Sequence, residues 1–208
     1  MVSRFTAAGA VIKKLSRALI FFFVIAVGIP VVIGALFGIS QAGILSLVTS
    51  TLVLQAAAPP IGLALGLPTP AILTVMACFA IGMVAALMEL CDSLAMSSER
   101  VKDWIDRVGK KMENYPAIRK YGAVSCIGIA WIPGIGLYGT PIIAWILGWK
   151  RIPAVLFTTL GFLIASVFVL FFASRLSIEL IFWLIGIAVA VGIVLLLARK
   201  FMWKKKDR

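Results

Sequence analysis

The chain could do chemistry at two places where long apolar stretches are interrupted. Ala58-Pro59-Pro60-Ile61-Gly62 breaks the stretch 42–66, and Ile132-Pro133-Gly134-Ile135-Gly136 breaks the stretch 121–149. Proline lacks the amide proton a helix needs and clashes with the preceding turn, and glycine brings no side chain, so each motif should stop a helix inside apolar surroundings. Irregular backbone at membrane depth must be buried in protein or line a wet cavity. Amides freed after Pro60 and after Gly136 lie at the positive ends of helix dipoles and suit a phosphate without help from a charged side chain. Gln55 shares a helical face with Thr51 just before the first break, and Tyr138 and Thr140 follow the second. Gln55, Pro59, Pro60, Gly62, Pro133, Gly134, Gly136, Tyr138 and Thr140 are therefore the expected substrate-binding residues. The competing reading is a packing device, with the breaks paired to each other and the hydroxyls and amide serving as interhelical glue.

Glu89 and Asp92, one turn apart at the end of an apolar run, offer a second chemistry. A carboxylate buried in a membrane is a candidate for proton coupling. Their place at a helix end, beside Arg100, Lys102 and Arg107, equally suits an interfacial ion pair. The chain has no histidine, and Cys78, Cys91 and Cys126 are too few and too widely spaced for a metal knuckle or a disulfide framework. Imidazole metal sites and Ser-His or Cys-His nucleophiles are thereby excluded. Neither break carries a group for acid-base catalysis, so no enzyme activity, metal or cofactor is expected.

The elements that hold these residues are membrane helices. Of the 208 residues, 62% are hydrophobic and 13% charged, which leaves too little polar surface to cover a water-soluble domain. The net charge of +12 comes in short runs between uncharged segments, so it reads as topology and not as a nucleic-acid surface. Hydropathy alone gives six spans, which would leave twelve Lys and Arg inside and eight outside. If 42–67 and 121–149 fold back to the side they entered from, Arg175 alone of the 20 basic residues lies outside. The positive-inside rule favours this arrangement.

The expected fold is thus an all-α integral membrane protein with four full spans (18–38, 70–92, 152–174, 178–198) around two opposed re-entrant hairpins. A short interfacial lead-in (1–17) precedes them and a basic tail (199–208) follows. An amphipathic helix at 97–114, with Val101, Trp104, Ile105, Val108 and Met112 at helical spacing, should lie along the cytoplasmic interface. Pro59-Pro60-Ile61-Gly62 is echoed by Pro133-Gly134-Ile135-Gly136, and Gly66-Leu67-Pro68 by Gly148-Trp149 ahead of Pro153. One full span follows each, which gives an inverted repeat. Thr74, Cys78, Gly82 and Ala86, and Thr158, Gly161 and Ala165, form small-residue seams for close packing.

The stretches Gln55-Ala56-Ala57-Ala58-Pro59-Pro60-Ile61-Gly62-Leu63-Ala64-Leu65-Gly66 and Trp131-Ile132-Pro133-Gly134-Ile135-Gly136, with Gly139 and Ala144, carry a resemblance to a known family. Over about 50–175 the sequence resembles the small multidrug export proteins, which are similar in layout to the DedA or VTT-type membrane proteins. The resemblance implies hairpins that meet at mid-membrane and move small molecules or phosphate-bearing lipid head groups. Where DedA-type proteins carry an arginine before the second Pro-Gly, this chain has Trp131 and Ile132.

The resulting expectation is a translocase of lipids or polyprenyl-phosphate carriers through a groove between the hairpins. The alternatives are a proton-coupled small multidrug exporter using Glu89, and a non-transporting scaffold that presents 97–114. Membrane lipids, anionic head groups included, are the expected partners, with no nucleic acid and with a homodimer compatible. The expected location is a prokaryotic plasma membrane, with both termini cytoplasmic.

Overall fold

The computed structural model describes residues 2–97, 101, 103, 107, 122–132 and 136–173. Pro133 and Gly134, most of 97–114, the expected span 178–198 and the tail 199–208 lie outside the described residues. The chain divides into two compact units, Met1–Val169 and Leu170–Arg208. Of the second, residues 170–173 are described; they are helical, with Phe171 and Phe172 edge to face at 5.9 Å.

Every regular element among the described residues is helical. Three helical stretches are long and apolar enough to cross a membrane: Val11–Leu36, Thr69–Ala95 and Arg151–Phe172. At about 1.5 Å per residue each exceeds the roughly 30 Å of a hydrocarbon core. The first comprises α1 (Val2–Ile20), a π-helical segment (Phe21–Gly28) and α2 (Ile29–Leu36). The basic lead-in is therefore continuous with this span. Pro30 near the start of α2 supplies the reason for the π-turns, because its ring would clash with the carbonyl four residues back unless the helix widens. Just before it, the Ile29 amide reaches five residues back to the Val24 carbonyl.

The central element is α5 (Thr69–Ser97), the most buried of the three crossing stretches. It runs antiparallel to the first: Lys14 meets Asp92, Phe22 lies edge-on to Phe79 at 6.4 Å, and Gly82 sits against Phe21 and Ala26. A Cβ at position 82 would stand 2.6 Å from the Ala26 nitrogen and 2.8 Å from the Phe21 oxygen. Glycine here lets two backbones touch, which is how membrane helices gain packing without a hydrophobic drive between them. The third crossing stretch belongs to α8 (Arg151–Ala173), whose first residue reaches Glu89 and Asp92. Lys14, Asp92 and Arg151 thus lie at one end of the three-helix frame. Residues 37–68 connect helices at the far end, and 98–150 connect helices at the Lys14 end.

Among the described residues, each connection has a short helix on either side of its break. In the first, α3 (Gln41–Leu54) is capped by the Ser40 hydroxyl, which accepts from the Gly43 amide at 3.3 Å. A single 3₁₀ turn (Gln55–Ala57) and α4 (Pro59–Ala64) follow. The chain turns back on itself, since a Cβ at Gly62 would touch Leu47 and one at Gly43 would touch Leu67. In the second connection, α6 (Ser125–Ile129) precedes the break and α7 (Gly136–Ile146) follows it. Gly161 of α8 packs on α6, where a Cβ would stand 2.5 Å from the Ile127 oxygen. The two connections end alike. Gly66 and Gly148 take positive φ of 74° and 66°, and the next amides, of Leu67 and Trp149, bond back to Gly62 and Ala144 at 3.0 Å each. This is a left-handed glycine stop.

Candidate functional site

The two breaks meet. The Gln55 side chain is buried where α3 ends, and its Oε1 accepts the amide of Leu137 on the first turn of α7 at 3.5 Å. The Tyr138 hydroxyl donates to the Leu52 carbonyl. Thr51 and Thr140 are both fully buried, and their hydroxyls donate four residues back, to Leu47 at 2.7 Å and to Gly136. Gln55 also carries the one positive φ among the described non-glycine residues, 54° with ψ −128°. That region is essentially reserved for glycine and costs other residues about 1 to 3 kcal/mol. Its cost is set against the bridge to Leu137.

These contacts occupy donors that an anion at the breaks would need. Pro59 and Pro60 have no amide proton, and Ile61 donates to Ala58 at 3.0 Å. Across the junction, Gly136 donates to Ile132 at 2.7 Å and Leu137 donates to Gln55. Pro59 and Gly62 are buried in the fold of α4 on α3, and Gly62 lies against Ile72 of α5. Gln55, Gly136, Tyr138 and Thr140 are thus gathered in one junction, with Pro133 and Gly134 outside the described residues.

Glu89 and Asp92 sit at the Lys14 end of α5, one turn apart. Among the described residues their partners include Lys14 and Arg151, distant in sequence, while Arg100 and Lys102 lie outside the described residues. Arg151 Nη1 contacts Glu89 Oε1 at 2.6 Å, and its Nη2 contacts Asp92 Oδ2. Lys14 Nζ reaches Asp92 Oδ2 at 2.8 Å, and the Trp145 indole of α7 donates to Asp92 Oδ1 at 2.6 Å. Asp92 is therefore fully engaged. Glu89 is not: the residue is 4% exposed, and its Oε2 is buried without a hydrogen-bond partner among the described residues.

Glu89 is also one of the residues lining a cleft of about 250 Å³, with Phe21, Ala85, Met88, Arg151, Ile152, Val155 and Leu156. Apart from Glu89 and Arg151 its walls are hydrocarbon, contributed by the π-segment, α5 and α8. A carboxylate held away from water keeps its lone pairs satisfied or carries a function, and an ionisable group within a membrane helix belongs to the second case by default. Chemically, the cleft can take an apolar body and offer one strong acceptor to a donor on it.

Sequence reasoning named Glu89 and Asp92 and missed Lys14, Trp145 and Arg151. The signal was present in the positive-inside count, which put Lys14, Asp92 and Arg151 on one side. Antiparallel pairing of the first span with 70–92 then brings Lys14 opposite Asp92.

The fold and the site define an all-helical membrane protein with an ion-paired carboxylate beside an apolar cleft. Residues 55–168, more than half of the chain, match the family described as "Putative small multi-drug export protein", and the chain belongs to that family. No curated protein and no solved structure matches it. The match begins at Gln55 and takes in both breaks, Glu89, Asp92, Trp145 and Arg151.

Proposed function

We propose that this protein is a secondary transporter that exports small amphipathic cations. The cation's apolar body lies in the cleft between the π-segment, α5 and α8, and its charge lies against Glu89. One observation carries this reading: the unpartnered Oε2 of a buried carboxylate at the wall of an otherwise hydrocarbon cleft. A protonated amine satisfies that oxygen, and a proton arriving at Glu89 removes the attraction and releases the amine. Export and small multi-drug substrates are what the family description suggests.

In a bilayer, the two connections would be re-entrant hairpins that enter from opposite faces, as in inverted-repeat transporters. Their bonds at Gln55, Leu137, Leu52 and Tyr138 would close the path between the faces, and breaking them would open it. The exporter reading is preferred to lipid-phosphate translocation because the amides of Ile61, Gly136 and Leu137, which a phosphate would need, are already bonded within the protein. At the cleft, the carboxylate with an unpartnered oxygen, Glu89, is anionic and suits a cation.

The test is ethidium efflux from energised cells that express wild type or Glu89→Gln at equal levels. Efflux above the empty-vector rate for wild type, and vector-level efflux for the variant, is the expected result. Equal efflux in both overturns the proposal.

A further inference from the structure

We infer that Arg151 is a tethered competitor at the Glu89 site: an organic cation binds by taking the place of its guanidinium, which turns out to solvent. The inference rests on the export reading above and adds which group the substrate displaces and what charge the substrate must carry.

The argument is one of charge. Glu89, Asp92, Lys14 and Arg151 form a cluster of two acids and two bases with no formal net charge. Beside a carboxylate as shielded from water as Glu89 an added unpaired charge is costly, so a cation cannot simply join the cluster. One positive charge has to leave Glu89 as the new one arrives. Arg151 is the group in contact with Glu89, and it is also the most exposed of the four. Its side chain is 46% exposed, against 27% for Lys14, 21% for Asp92 and 5% for Glu89.

The guanidinium already spans the two carboxylates, with Nη1 on Glu89 and Nη2 on Asp92. When it turns away, Asp92 keeps the Trp145 indole and Lys14. Asp92 thus stays paired while Glu89 changes partner.

The consequence is a selection rule. A singly charged amphipathic cation replaces one charge with one charge and leaves the buried cluster balanced. A dication leaves it positive and is rejected, although its apolar body fits the cleft. A donor N–H on the substrate also satisfies Glu89 Oε2, which Arg151 does not reach.

Ethidium binding to the detergent-solubilised full chain tests this, with Arg151→Gln, Arg151→Lys and Glu89→Gln beside wild type. Each preparation is first shown to be monodisperse. Removing the competing charge should tighten ethidium binding roughly tenfold or more in Arg151→Gln, as expected when one close like charge is taken away. Arg151→Lys should stay near wild type and Glu89→Gln should lose binding. Unchanged or weaker binding in Arg151→Gln, with Glu89→Gln still inactive, overturns the competitor and leaves the export reading intact. Wild-type binding no stronger than that of Glu89→Gln overturns both. A measurement on the wild type alone needs no variant to fold: phenylglyoxal modification of Arg151, followed by mass spectrometry, should speed up when ethidium is added. Unchanged or slower modification overturns the inference.

Discussion

Replacing Gln55 separates a hydrogen bond from a backbone cost that the same residue bears. Alanine at position 55 removes the acceptor of the buried Leu137 amide but keeps a side chain on a backbone with φ 54°. Leaving that amide unsatisfied costs about 1 to 3 kcal/mol by the soluble-protein scale, and nearer 0.6 to 1.7 by measurements within membranes. Glycine loses the same bond but recovers the roughly 1 to 3 kcal/mol of backbone cost. Gln55→Gly should therefore sit close to wild type and above Gln55→Ala. This reverses the usual helix order, in which glycine is about 1 kcal/mol worse than alanine.

For a chain of 208 residues, with each kcal/mol worth about 2 to 4 °C, the gap between the variants should be about 2 to 12 °C in Tm. A thiol-reactive fluorophore provides the assay, since Cys91 and Cys126 are buried in the folded protein and become reactive on unfolding. An alanine variant as stable as the glycine variant, or more stable, would refute the assigned backbone at the first break.

Other contacts predict smaller or opposite effects. Tyr138→Phe removes the hydroxyl bonded to Leu52 and should lower stability by about 0.5 to 1.5 kcal/mol in the same thermal assay. Its effect should be less than additive with Gln55→Ala, because both substitutions open one junction. Gly82→Ala drives a Cβ into the backbone of Phe21 and Ala26 and should cost about 1 to 3 kcal/mol or abolish folded yield, read by size-exclusion chromatography. Gly128→Ala meets nothing within 4 Å and should be neutral or stabilising by up to about 1 kcal/mol. Trp145→Phe removes the indole donor to Asp92 and should lower stability by about 1 kcal/mol while leaving ethidium affinity within about twofold, as Glu89 keeps its contact with Arg151.

Much of the frame was legible because membrane helices announce themselves by length and apolarity. The three crossing stretches fall on 18–38, 70–92 and 152–174, although α1 begins well before the first of these. Lys13, Lys14 and Arg17 made residues 1–17 look separate, yet charge at a helix end ends the apolar run without ending the helix. The breaks at Pro59-Pro60 and before Gly136 were equally visible, because proline and glycine act on their own backbone.

What the sequence concealed was pairing. Glu89 and Asp92 lie close along the chain to Arg100, Lys102 and Arg107, and nearness in sequence made those the apparent partners. The antiparallel packing of the first span on α5, set by Gly82, brings up Lys14, and the start of α8 brings Arg151. Likewise no local signal told that Gln55 would bond to Leu137, which lies 82 residues away. The difference between a donor left free for phosphate and one already bonded depends on that tertiary contact.

The central claim is that Glu89 carries a cation across the membrane in exchange for a proton. The most direct measurement is ethidium movement into proteoliposomes under an imposed pH gradient, acid inside, with proton release recorded in the same vesicles. Wild type should accumulate ethidium and release protons in proportion, while Glu89→Gln should do neither. Accumulation by Glu89→Gln at the wild-type rate, or wild-type vesicles that match protein-free ones, would contradict the account.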